Sequence, residues 1–136
     1  MKTSTLTLRT LLAAMIASTF IGFFAQAANL SDEDKQFLAA YEKVRSALAA
    51  DDLGGALAVA NDLRDDGVML AKSTSLKEAR VAFEKLSEKA KELAAGQSGY
   101  YVVNCPMVKK DWVQISEKIG NPYYGKEMAT CGEIKK

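Results

Sequence analysis

Two short sulfur-bearing segments, Cys105-Pro106-Met107 and Met128-Ala129-Thr130-Cys131, carry the soft chemistry of this 136-residue chain. Two thiolates and two thioethers form a ligand set that selects copper(I) over hard cations. Cys-x-Met places both sulfurs on one side of an extended or turned segment, and Met-x-x-Cys does so across one helical turn. Brought together, Cys105, Met107, Met128 and Cys131 would surround one ion. The competing chemistry is a Cys105-Cys131 disulfide, with the two methionines filling gaps in the core. The two arrangements exclude each other in one molecule. Closing a loop of this length would stabilise the fold by about 3.6 kcal/mol on the chain-entropy model.

The same stretch, residues 100–132, holds both prolines, the single tryptophan and four of the five tyrosines. Trp112, Tyr123 and Tyr124 are a second candidate site, an aromatic surface for a protein partner. The alternative is that these rings form the core of the segment. Histidine is absent, which removes Ser-His-Asp and Cys-His catalysis, imidazole-type copper(II) and most zinc sites. There is no Cys-x-x-Cys, G-x-G-x-x-G or P-loop. The sequence predicts no enzyme.

The N-terminus has the anatomy of a secretory signal peptide. Lys2 and Arg9 precede an apolar run over residues 11–25, and Ala25-Gln26-Ala27 supplies an A-x-A cleavage site. The apolar run is short for a membrane span, so cleavage after Ala27 leaves no stable anchor. Residues 28–136 are then a single domain, near neutral in charge, with acidic and basic residues interspersed. No basic field is present to neutralise phosphates, which argues against a nucleic-acid partner. The predicted location is the periplasm or the secreted space, where an even pair of cysteines oxidises.

The elements that must position the motifs are helical. Ser31 caps a helix over residues 32–50, with Phe37, Leu38, Tyr41, Val44 and Leu48 on one face. Asp51-Asp52 stops it and caps a second helix over residues 53–65. Val68 to Ala71 is an apolar connector expected to lie against the core, Met69 included. Ser75 and Glu78 fit a capping box, and Leu76, Ala79, Phe83, Leu86, Ala90 and Leu93 form the seam of a third helix. Tyr100 to Val103 is extended but too short to imply a sheet. Asp111 caps a short helix with Trp112, Ile115 and Ile119 on one face, and Gly120-Asn121-Pro122 ends it. The fold class predicted is therefore all-α. It is a small antiparallel bundle over residues 31–99 with an irregular or short-helical segment, residues 100–136, pinned by the two cysteines.

Taken as a set, these motifs resemble a family of small exported helical domains of unknown function. Such domains occur alone or at the C-terminus of periplasmic adaptor subunits of heavy-metal (copper/silver type) efflux systems. The residues that carry the resemblance are Tyr100-Tyr101, Cys105-Pro106-Met107, Trp112, Asn121-Pro122-Tyr123-Tyr124-Gly125 and Met128 to Gly132. Upstream, Tyr41, Ala47-Leu48, Asp51-Asp52, Ala56, Ala60 and Arg80-x-x-Phe83-x-x-Leu86-Ser87 are similar too. The resemblance implies a periplasmic accessory role in copper or heavy-metal handling, with a metal-efflux or copper-handling protein as partner. Two functions follow as expectations. One is copper(I) binding through Cys105, Met107, Met128 and Cys131. The other is an interaction module in which a disulfide fixes Trp112, Tyr123 and Tyr124 as a surface for an efflux adaptor.

Overall fold

The computed structural model describes residues 29–136, and the signal-peptide assignment for residues 1–27 lies outside them. Helix α1 (Asp32–Ala49) begins in a reciprocal capping box between Ser31 and Asp34. Its predicted stripe of Phe37, Leu38, Tyr41, Val44 and Leu48 is buried. The helix ends in a Schellman motif. Asp51 donates to the Leu48 carbonyl, and Asp52 reaches back to that of Ala47. Asp51 takes the left-handed position usually given to glycine, at φ 58°.

Asp52 then caps α2 (Leu53–Val59) by accepting from the Gly55 amide at 2.8 Å. The regular helix stops at Val59, short of the predicted residue 65, and tightens into 3-10 turns over Ala60–Gly67. Asp62, Asp65 and Asp66 crowd negative charge where the helix dipole disfavours it. A Cβ on Gly67 would lie 1.9 Å from the Ala60 carbonyl oxygen, so only glycine permits this closure. The expected connector is a single turn, α3 (Val68–Ala71), and only Leu70 in it is buried. Met69 is 57% exposed, contrary to its expected core role.

Helix α4 (Leu76–Ala94) starts at Ser75, which accepts from the Glu78 amide, while the Glu78 carboxylate caps Thr74 instead of closing on Ser75. Ala79, Phe83, Leu86 and Ala90 on it are buried. Among the described residues no helix is long and apolar enough to cross a membrane.

The remainder overturns the all-α bundle. Strands β1 (Tyr101–Cys105), β2 (Lys110–Gln114) and β3 (Glu133–Ile134) form an antiparallel sheet in the order β2-β1-β3. The protein is a mixed α/β fold, with the sheet packed through β2 against α4. Trp112 pairs with Val103 across the hairpin. The helix expected from Asp111 onward does not form, and Ile115, which should have faced its core, is 57% exposed. Tyr101, Val102, Val103, Trp112 and Val113 favour a pleated, buried surface. Pairing Val103 with Trp112 buries both completely, which a two-turn helix on the surface would not do. The β2 edge is covered as well, since the Val113 amide donates to the Tyr41 hydroxyl at 3.1 Å.

An aromatic run knits the two layers. Phe37 stacks on Tyr41, Tyr41 on Phe83, and Tyr123 meets both Phe83 and Trp112 edge-on, with centroids 4.9–6.3 Å apart. At the end of α1, the Asp51 carboxylate accepts from Arg80 Nη2 at 2.6 Å and from the Lys126 amide at 3.1 Å. That amide first, and the guanidinium second, hold the Asp51 carboxyl below its ordinary value of 3.8.

Two outcomes follow. Gly125 sits at φ 56°, and a Cβ there would lie 1.9 Å from Asp51 Oδ1. Gly125→Ala should lower stability in urea by about 1–3 kcal/mol. Because the Asp51 pKa is lowered on folding, its contribution is complete above the unfolded value and is lost as pH falls through the folded one. The stability gap between the native protein and Asp51→Asn, a residue that also tolerates the left-handed position, should be present at neutral pH and close in acid. A gap that persists unchanged in acid would contradict this assignment.

Candidate functional site

The site is built around the loop of residues 120–125, which two helices hold by its carbonyls. Arg45 Nη1 on α1 donates to the Gly120 oxygen at 2.9 Å, and Arg80 Nε on α4 donates to the Pro122 oxygen at 2.9 Å. Between them the Asn121 side chain is fully buried. Its Oδ1 accepts from the amides of Tyr123 and Tyr124 at 2.9 and 3.2 Å, an Asx turn. Its Nδ2 donates to the Cys131 carbonyl at 3.2 Å. The Asn121 amide donates to Ala129, and its carbonyl accepts from Gly125.

This loop aims its two tyrosines in different directions. Tyr123 turns inward, its hydroxyl 3.2 Å from both Ser87 Oγ and the Asp111 carbonyl oxygen. Ser87 Oγ is also 2.9 Å from the Tyr41 hydroxyl. Burial pushes the Tyr41 and Tyr123 hydroxyls well above their ordinary range, so both stay neutral hydrogen-bonding groups. Tyr124 turns outward and is 44% exposed. Trp112, expected as part of a partner surface, is buried and donates through Nε1 to Gln114. It belongs to the core.

Cys105 and Cys131 are joined in a disulfide, with Cα atoms 5.6 Å apart. It ties the end of β1 to the segment that Asn121 also holds. The bond consumes both thiols of the predicted four-sulfur set. Met107, in the β1–β2 loop, is 75% exposed, whereas Met128 is half-buried against the core. In this oxidised state the set offers two thioethers and no thiolate, and it does not fit a four-sulfur copper(I) site. Among the described residues no three His, Cys, Asp or Glu side chains cluster as a metal would require.

What the structure does bring together is an open trough of about 660 Å³ on the outer face of α4. Its floor is the first two turns of α4, from Leu76 to Glu84. Met107 and Val108 flank it on one side, and Tyr123, Tyr124 and Glu127 on another. Val81 is 62% exposed within it. Two ion pairs lie in the trough lining, whereas Lys77 and Glu127 there have no ion-pair partner among the described residues. Arg80 pairs with Asp51, and Lys110 with Glu84. Sequence reasoning named Tyr124 for a partner surface and Met107 as a metal ligand, and it did not name Val81. The signal was present, because Val81 is an apolar residue off the buried stripe of α4. No protein-family model matches this chain, and no curated protein or solved structure matches it.

Replacing both cysteines by alanine should cost about 3.6 kcal/mol of stability. Hydrogen exchange should show protection lost first over residues 125–136, with α1 and α4 keeping theirs. Uniform loss across the chain would show that the bond supports the whole core equally.

Proposed function

We propose that this protein is an exported, non-enzymatic interaction module whose trough over α4 receives a partner protein. The observation that carries the proposal is the convergence of three exposed large apolar side chains, Val81, Met107 and Tyr124, on one concave surface. The walls are supported from behind. Met107 lies two residues after the disulfide-bonded Cys105, and Tyr124 sits on the Asn121 turn, just beyond the Gly120 and Pro122 carbonyls that Arg45 and Arg80 hold. A surface held this way loses little freedom when a partner docks, which favours affinity.

The absence of histidine argues against nucleophilic catalysis of the usual kinds. A disulfide suits an oxidising compartment, in keeping with the signal-like N-terminus. The motif resemblance suggests a periplasmic metal-efflux adaptor as the class of partner. Copper(I) coordination by Cys105, Met107, Met128 and Cys131 is a proposal for the reduced chain alone.

The test is site-specific photocrosslinking in the exporting cell. A photoreactive residue in place of Val81 or Tyr124 should give a discrete protein adduct. The same residue in place of Lys43, exposed on α1 outside the trough, should give none. Adducts that form equally at all three positions, or at none, would overturn the proposal.

A further inference from the structure

We infer that Met107 and Met69 are sites of reversible oxidation, where peroxide converts an exposed thioether to the sulfoxide and leaves the fold intact. No partner need dock for this chemistry to occur. Both thiols of the chain are joined in the Cys105-Cys131 bond, so none remains to take the first oxidising equivalent. The oxidisable sulfur that is left is thioether. Three of the five methionines lie among the described residues, at positions 69, 107 and 128.

The fold separates these three. Met107 and Met69 are both more than half exposed, whereas Met128 packs against the core. Met107 stands in the short turn between β1 and β2. The disulfide anchors the start of that turn at Cys105, and the Lys109 amide closes it by donating to the Cys105 carbonyl at 2.9 Å. Met69 stands on the single turn α3, where Leu70 is the residue that faces the core. The two thioethers flank exposed Val81. Met107 lines the trough with it, and Met69 lines an adjoining cavity that shares Val81 and Lys77.

The step is a two-electron oxygen transfer. A lone pair of the methionine Sδ attacks one oxygen of hydrogen peroxide, an S–O bond forms and the O–O bond breaks. The departing hydroxide takes the proton left on the transferred oxygen and leaves as water, so sulfur is oxidised and peroxide reduced. A reductase of the dithiol class reverses it. Its two thiols supply two electrons and two protons, the sulfoxide oxygen leaves as water, and the reductase ends as a disulfide. The sulfoxide is polar where the thioether was apolar. At Met128 that change would set a polar group against the core, which is costly without a hydrogen bond. At Met107 and Met69 the new oxygen meets water. Oxidation therefore changes the surface on both sides of Val81 and spares the packing beneath it.

The test is a time course with hydrogen peroxide on the protein with its disulfide intact, read by peptide mass mapping. Met107 and Met69 should each gain one oxygen at least about tenfold faster than Met128. In urea-unfolded protein the three should react alike, which assigns the difference to the fold. The urea midpoint should stay unchanged while the two sulfoxides accumulate. Methionine sulfoxide reductases for both sulfoxide epimers, supplied already reduced and without free thiol, should remove both oxygens from the folded protein. The double variant Met69→Gln/Met107→Gln, which makes both positions polar without oxidant, should also keep the native midpoint. Met128 reacting as fast as Met107 in the folded protein would overturn the inference, as would a rate difference that survives in urea. A midpoint that falls with the two sulfoxides or in the double variant would show that these side chains support the fold, and would overturn it too. Sulfoxides that the reductases leave in place would reject reversibility, and the inference with it.

Discussion

The buried side-chain amide of Asn121 is the point on which the C-terminal third of the molecule closes. Three of its hydrogen bonds go to backbone groups, at Tyr123, Tyr124 and Cys131. A buried amide left unpaired costs on the order of 1–3 kcal/mol per group, so this residue either organises the surrounding backbone or destabilises it. Here it turns the chain, sets the opposed directions of the two tyrosines and holds the carbonyl of the residue that carries the disulfide. The Cys105-Cys131 bond and the Asn121 turn are thus two supports of one segment.

The helical layer contributes by meeting that segment with fixed charges. Arg45 and Arg80 stand on different helices and take the carbonyls on either side of Asn121. Arg45 is itself oriented by Glu42, and Arg80 by Asp51. Charge-assisted bonds of this kind are shorter and stronger than neutral ones. They connect residues far apart in the chain, and they place the loop over the aromatic run that reaches from Phe37 to Trp112. Polar clamps set the position of the loop, and the rings beneath it exclude water.

The helices were legible in the sequence because their information is local. Caps at Ser31 and Ser75, and stripes such as Tyr41, Val44 and Leu48, act within a few residues of themselves. The sheet was not, because its information is distributed. Tyr101 to Cys105 becomes a strand only when Trp112 arrives opposite Val103, and the helical spacing of Trp112, Ile115 and Ile119 pointed the other way. Asn121 was readable as a helix stop but not as a buried hub, since nothing in Gly-Asn-Pro says what its amide will meet. The cysteine pairing was one of two open chemistries, and the fold places both residues at bonding distance. Half of the trough lay hidden for a related reason. Val81 stands on a helix and Met107 on a loop, and only the tertiary fold makes them neighbours of Tyr124.

The order of these elements along the chain has a consequence for biogenesis. A polypeptide produced from its N-terminus completes α1 and α4 first, and the rings Tyr41 and Phe83 can stack at that stage. Tyr124, Glu127, Cys131 and β3 come afterwards, and β3 must return to pair with β1. Non-local pairing of this type is slow compared with helix formation. The completed trough is therefore among the last features to appear, and the covalent bond beside it cannot form until Cys131 has emerged. A chain interrupted before that point could hold α1 and α4 yet would lack both β3 and the bond that ties β1 to the segment after Asn121.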